Sequence, residues 1–278
     1  MGSSVFIAKN EQYERTKKSC LMGYYSMVSK EKSPLISVIT VVYNAEKYIE
    51  GCIQSVAQQT YQNIEYIVVD GGSKDRTLNI VKQYLPHIHK WTSEPDTGIS
   101  NAMNKAIAQA SGDYLVFLHA DDYFESNEAI EKALAGIDDD TDVILADILF
   151  GKNLKRQISQ GFNFRMNFKT GVFHQGCFCS KALFAEIGDF DENLKIAMDY
   201  DFFLRAYRKG VKFQFSGTIL SVMRDTGVSS QQDWPTLSRR FNEEKFVHKK
   251  NCDSPYKTII YAFYWALYMP YRKFKQLM

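Results

Sequence analysis

The chain has 278 residues, 45% of them hydrophobic and 24% charged, with a formal net charge of +2; these globular proportions exclude a wholly disordered, collagenous or disulfide-stapled chain. At this length, near the upper limit for a single core, one principal domain with appendages is expected. Residues 1–33 carry a net +3 and residues 239–278 a net +6, leaving −7 for the body, a poor match to a nucleic-acid binder, whose positive charge lines its own fold.

Residues 1–33 read as a polar, basic extension; its apolar patch from Leu21 to Val28 is far short of the roughly 20 residues that span a bilayer. The run LISVITVV from Leu35 to Val42 is apolar and β-branched, as a strand buried on both faces should be. Glu46 to Gln59 places Tyr48, Ile49, Cys52, Ile53 and Val56 at helical spacing, and a second apolar run from Ile64 to Val69 ends at Asp70. Gly71-Gly72-Ser73 breaks the chain before a helix from Asp75 to Tyr84, and a loop is expected from Thr92 to Thr97. A helix follows from Ile99 to Ala110, with Asp96 or Thr97 as its cap and Gly112 past its end. Tyr114 to Leu118 is a short strand running into His119-Ala120-Asp121-Asp122, Glu128 to Ala135 a helix and Val143 to Phe150 a strand. This alternation predicts an α/β fold with a mostly parallel sheet.

Ligands of open parallel sheets bind beyond the carboxyl ends of the strands. Here those ends read Tyr43-Asn44, Asp70-Gly71-Gly72 and His119-Ala120-Asp121-Asp122. An acidic pocket suits a phosphate ester only with a divalent cation between them, and Mg²⁺ or Mn²⁺ prefers carboxylate oxygens. The alternative is that Asp70 and Asp121 merely end strands in turns. Cys20, Cys52, Cys177, Cys179 and Cys252 make an odd count with no C-x-x-C pair, and no leader-like pattern opens the chain, so a reduced, cytoplasmic protein is expected.

The runs VITVVYN, VVDGGSKDRT, SEPDTGISNAMNKAIAQASGDYLVFLHADD and HQGCFCSKALFAEIGDFDENLKIAMDYDFFLRA occur in this order between residue 35 and about residue 225. Together they closely resemble the family 2 glycosyltransferases of bacterial polysaccharide assembly. The resemblance implies a GT-A-type nucleotide-binding sheet flanked by helices, a nucleotide-diphosphate-sugar donor with uridine as the usual base, a divalent metal (Mn²⁺ or Mg²⁺) and inversion at the anomeric carbon. It implies donor contacts at Asp70 and, beside the base, at Tyr43 with Asn44. Asp96 and Asn104 fall in the family's donor-side stretch. Asp121, with Asp122 next to it, matches the metal-binding aspartate of the D-x-D pattern. His119 replaces that pattern's first aspartate and is expected on the same side as Asp121, as a ribose contact, a metal ligand or a space-filling residue.

In the second half the resemblance implies that Asp199 is the general base, although the acidic residue that usually precedes it is Met198 here. Asp199 is expected to cap a helix from Tyr200 to Arg208. The resemblance implies an acceptor contact at His174 and a late loop from Arg224 to Ser229, with Arg224 on the diphosphate. The Q-x-x-R-W signature of processive relatives is absent, since Gln231-Gln232-Asp233-Trp234 lacks the Arg; a single addition is expected. The domain is expected to run over 34–238, with a donor half at 34–150 and an acceptor half at 151–238. Residues 239–278 read as an aromatic, basic helical tail, either lying at an anionic membrane surface or packed on the domain. The expected acceptor is a glycan carried on a polyprenyl diphosphate, and the expected place is the cytoplasmic face of the inner membrane. The rival readings are a non-catalytic assembly component that keeps the fold, and a sugar-phosphate nucleotidyltransferase, which would need a Gly-rich phosphate loop after the first strand.

Overall fold

A computed structural model describes residues 33–227, 231 and 233–277. The expected extension over 1–33, Cys20 within it, and Val228, Ser229 and Gln232 therefore lie outside the described residues, apart from Ser33. The strands are β1 (Ile36–Val42), β2 (Ile64–Asp70), β3 (Lys90–Ser93), β4 (Tyr114–Phe117), β5 (Tyr123–Phe124), β6 (Val143–Phe150), β7 (Lys155–Gln157), β8 (Cys177–Ser180) and β9 (Phe213–Met223). The helices are α1 (Ile49–Ala57), α2 (Thr77–Gln83), α3 (Ile99–Gln109), α4 (Ala129–Leu134), α5 (Lys181–Ile187), α6 (Met198–Lys209), α7 (Trp234–Lys250) and α8 (Pro255–Leu277).

Among the described residues one nine-stranded sheet runs β3-β2-β1-β4-β8-β6-β9-β5, with β7 on β6. β1 is fully buried because its β-branched residues serve both faces. Ile36, Val38 and Val42 pack with Ile49 and Ile53 of α1, while Ile39 and Val41 pack with Met103 and Ala106 of α3. β3, β2, β1 and β4 are parallel, as the alternating pattern predicts. Beyond β4 short antiparallel pairings enter: β8 is antiparallel to both β4 and β6, and β5 and β7 pair antiparallel as well. β6 and β9 are parallel again over their length, so the sheet is mostly parallel, as expected, with short antiparallel pairings at β8, β5 and β7. β3 also occupies the start of the expected loop at Thr92; its half-exposed alternation at the sheet edge leaves no apolar run to read.

The cap expected at Asp96 or Thr97 is Gly98, in a left-handed conformation (φ 134°) that places Asp96 to accept its N–H. The helix ends at Gln109 with Ala110 as its cap, and Gly112 lies past that end, as expected. A Cβ there would sit 2.6 Å from the backbone N of Ser37, so the residue is glycine because the chain meets the start of β1.

α7 and α8 form a further layer around Leu237, Phe241, Tyr261 and Trp265. The boundary expected after residue 238 falls inside α7. At the centre of this layer the buried His248 has both ring nitrogens engaged. Trp265 Nε1–H donates to Nδ1 at 2.9 Å, which fixes the proton on Nε2; that nitrogen then donates to the Tyr200 hydroxyl at 2.7 Å, and the hydroxyl donates to the Met166 carbonyl at 2.9 Å. Tyr261 stacks on the imidazole at 4.3 Å. Burial, followed by the charge of Arg208, holds His248 down from 6.5 to about 4. The unfolded chain therefore takes up this proton first as pH falls. The resulting stabilisation is complete above about pH 6.5 and lost toward pH 4, by up to roughly 3 kcal/mol. Thermal unfolding between pH 7 and 4.5 should show a steeper loss for the wild type than for His248→Gln; parallel curves would refute it.

Candidate active site

β1, β2 and β4 lie side by side and parallel, so the three loops beyond their carboxyl ends share one edge. Asn44, at φ 49°, turns the chain after β1; its N–H donates to Ser73 Oγ at 2.8 Å and its side-chain oxygen accepts from Lys74 N at 2.8 Å. Tyr43 beside it is 62% exposed, an open aromatic face at the mouth. The buried Asp70 accepts from Gly72 N, Ser73 N and Ser93 Oγ at 2.7–3.0 Å. Its carboxylate thus shapes the loop, because a buried charge has to be met by donors. A Cβ on Gly71 would lie 2.2 Å from Asp96 Oδ2, so only glycine lets Asp96 approach the loop. Asn104 stands apart from these residues. Both ends of its amide are taken by the turn at Phe190 and Glu192, which joins α3 to the second half and leaves no free group for a donor.

The turn after β4 carries the acidic residues. His119 and Asp121 lie beyond the strand, so the expected strand alternation does not apply. Asp121 Oδ2 accepts from Thr226 Oγ1 at 2.7 Å, and the Asp121 carbonyl accepts from Arg224 Nε at 2.7 Å. The Arg224 guanidinium sits over the rings of Tyr48 and Tyr123, 5.3 and 5.0 Å from their centroids. Asp122, read from the sequence as a second metal ligand, turns inward instead and accepts from Arg224 N at 3.0 Å. Burial, reinforced by the Asp121 charge, pushes the Asp122 carboxyl up to about 8.

The second half reaches this turn through one imidazole. His174 Nε2 lies 2.7 Å from His119 Nε2, and His174 Nδ1 lies 3.4 Å from Asp199 Oδ2. A carboxylate only accepts, so His174 carries its proton on Nδ1; its bare Nε2 then accepts from His119 Nε2–H. His119 is consequently left with a lone pair on Nδ1, and that buried atom has no partner among the described residues. Burial lowers His119 to about 3, so it is neutral here. Asp199 is the second residue of α6 and not its cap, a position held by Ala197. Its Oδ1 accepts from Tyr200 N at 2.7 Å.

A family model described as Glycosyl transferase family 2 matches residues 37–210. The chain belongs to glycosyl transferase family 2. It is 30% identical over 184 residues to a PGL/p-HBAD biosynthesis glycosyltransferase of Mycobacterium bovis, covering 63% of this chain and 70% of that one. It is 35% identical, also over 184 residues, to an uncharacterized glycosyltransferase of Mycobacterium tuberculosis, covering 63% and 69%. Among solved structures, S. aureus TarS 1-349 in complex with UDP-GlcNAc is similar with a TM-score of 0.62 at 24% identity, over 79% of this chain and 67% of that one. The Pyrobaculum calidifontis mannosyltransferase PcManGT, in complex with GDP-Man and Mn²⁺, has a TM-score of 0.63 at 18% identity, over 86% and 72%. The chain spans 40% of a longer S. aureus TarS chain. These structures share its α/β, GT-A-like fold.

In this family 2 glycosyltransferase, several residues that shape the site carry no local signal. Thr226 and Gln175 act on the acidic turn from distant segments, and Gln175 does so through a side-chain hydrogen bond to Asp122. Glu244 of α7 is a partly buried carboxyl whose desolvation pushes it up to about 7, within reach of the charges of Arg240, Lys169 and Asp199. Among the described residues, no group of three or more His, Cys, Asp or Glu side chains gathers into a metal cage. The donor set does fit a hard cation that keeps few protein ligands and completes its shell with phosphate oxygens and water, as Mg²⁺ and Mn²⁺ do. Asp121, less buried than Asp122, is the carboxylate of this turn that would hold it.

Proposed function

We propose that this protein is an inverting, non-processive hexosyltransferase that moves a sugar from a nucleotide diphosphate, UDP by preference, to a glycan acceptor on a lipid carrier during polysaccharide assembly. The observation that carries this reading is the bridge of His174 between Asp199 and His119, which sets a carboxylate on α6 one imidazole away from the donor-side turn. In the reaction the acceptor hydroxyl attacks the anomeric carbon and its proton passes to Asp199. The bond between that carbon and the diphosphate oxygen breaks, and the electron pair leaves with the diphosphate. Attack opposite the leaving group inverts the configuration.

Tyr43 and Asn44 border the base, while Asp70 and Asp96 act through the loop they hold. Arg224, fixed by its two rings, meets the diphosphate with the guanidinium edge left over. His119 borders the ribose as a neutral imidazole in place of the D-x-D pattern's first aspartate. Asp121 would hold the divalent ion, Mn²⁺ or Mg²⁺, which supplies positive charge at the leaving diphosphate. His174 faces the acceptor. The deciding experiment is thermal unfolding with UDP, GDP, dTDP or CMP, each with and without Mn²⁺. One nucleotide should stabilise the protein only when metal is present. Failure of all four would favour a non-catalytic component with the same fold.

The tail serves both of its expected uses in this reading. One face of α8 packs through Tyr261 and Trp265, while Tyr256, Ile260, Phe263, Leu267, Tyr271 and Phe274 form an exposed stripe at i+3 and i+4 spacing, with Phe263 68% and Leu267 73% exposed. Lys257, Arg272, Lys273 and Lys275 accompany it. Among the described residues no helix is long and apolar enough to cross a membrane. An apolar stripe flanked by cations suits a helix lying in the surface of an anionic leaflet, and in this reading the enzyme works at the cytoplasmic face, where lipid-linked acceptors are extended. The protein should sediment with phosphatidylglycerol vesicles and not with phosphatidylcholine ones. Phe263→Glu with Leu267→Glu should abolish that binding; equal recovery of wild type and variant would disprove the docking face.

A further inference from the structure

α7 lies beyond the residues matched by the family model, yet it grips the catalytic helix on both sides of Asp199. Oε2 of Glu243 accepts three consecutive backbone N–H groups, those of Lys195, Ile196 and Ala197, at 3.0, 2.7 and 2.9 Å. These groups lead into α6, whose cap residue, Ala197, has no side chain able to cap. On the other side, Tyr200 is held by His248. The fully buried Asp201 receives Lys250 Nζ at 3.1 Å and Asn251 Nδ2 at 2.8 Å, from the end of α7 and the residue after it, and Arg205 Nε of its own helix at 3.0 Å. Residues 195, 196, 197, 200 and 201 are thus tied to the segment 243–251. The side chain of Asp199 is not, and it turns to His174.

We propose that α7 is a splint for the general base and that Glu243 is its positioning residue. A carboxylate accepting three N–H groups before a helix makes charge-assisted bonds and complements the positive end of the helix dipole. It fixes where α6 begins, and so where its second residue points. A misplacement of about 1 Å at such a base is enough to cost on the order of 100-fold in rate. Glu243 touches neither the donor loops nor His174, so its loss should lower kcat and spare donor binding.

This inference rests on Asp199 being the base, and the test separates the two ideas. In protein labelled with ¹⁵N-histidine, His174 should show a protonated Nδ1 and a bare Nε2. Asp199→Asn should shift both signals. Glu243→Ala should shift them in the same direction, while Glu243→Gln, whose amide oxygen still accepts, should remain closer to wild type. With the nucleotide sugar picked out by thermal unfolding, Glu243→Ala should lose 10- to 100-fold in kcat at unchanged donor KM, and Glu243→Gln should recover part of that loss. If Glu243→Ala does not fold, the Gln variant must still show a partial shift. Unaltered His174 signals in the Glu243 variants, beside clear shifts in Asp199→Asn, would overturn the splint alone. Unaltered signals in Asp199→Asn would instead remove the contact on which the base assignment stands.

Discussion

Asp199→Asn is expected to lower kcat for sugar transfer by about 10²–10⁴-fold, the usual contribution of a general base, or about 3–5 kcal/mol of barrier. The amide is almost isosteric and can still accept from Tyr200 N, so the first turn of α6 should survive. Its side chain can no longer take the acceptor's proton. Nucleotide affinity should stay within about twofold, because Tyr43, Asn44 and Arg224 lie on other elements. Calorimetric titration of the nucleotide beside a transfer assay separates these effects. Transfer at a wild-type rate would remove Asp199 from the mechanism. Loss of nucleotide binding along with transfer would mean that the substitution had disturbed the fold.

Asp121→Asn should have the second largest effect and a different signature. Wild-type protein with a matching nucleotide at about 100 times its Kd gains roughly 2.7 kcal/mol, which for a domain of this size raises Tm by about 5–10 °C. In Asp121→Asn the share of that shift that depends on Mn²⁺ should vanish, and kcat should fall at least about 100-fold. The physical reason lies in the turn itself. Burial and the Asp121 charge push the Asp122 carboxyl up to about 8, and Asp122 is turned inward onto Arg224 N, which leaves Asp121 as the carboxylate that would meet a cation. A metal-dependent shift of undiminished size in Asp121→Asn would place the cation elsewhere.

The donor half was legible because its signals are local. β1 and β2 are mainly apolar, β-branched runs, α3 has a clear stripe, and each strand end displays its polar residues within a few positions of the run that buries the strand. The insertion of β8 between β4 and β6 has no local trace, since four residues, Cys177–Ser180, gain their place only from partners at 114–115 and 143–145. Asp199 was recognisable from its motif, but the His119–His174 contact joins residues 55 positions apart, and only the fold can bring them together. Asp122 and Asn104 illustrate the opposite error. Each looks like a ligand by position, yet the fold has already matched its polar atoms to partners within the protein. Glu243 was unreadable because a glutamate on a polar helix is ordinary until its three N–H partners are seen.

β9 begins at Phe213, three residues after the family match ends, and lies inside the sheet between β6 and β5. It pairs with β6 along seven registered positions. A fragment cut where the recognisable motifs stop would therefore expose a long unpaired edge on β6, together with the bare apolar flank that α7 covers. Such edges recruit strands from other molecules and drive aggregation. The part of this enzyme by which its family is recognised is thus smaller than the part that completes its sheet, and the residues that make up the difference include Glu243 and His248, which meet α6 before and after Asp199.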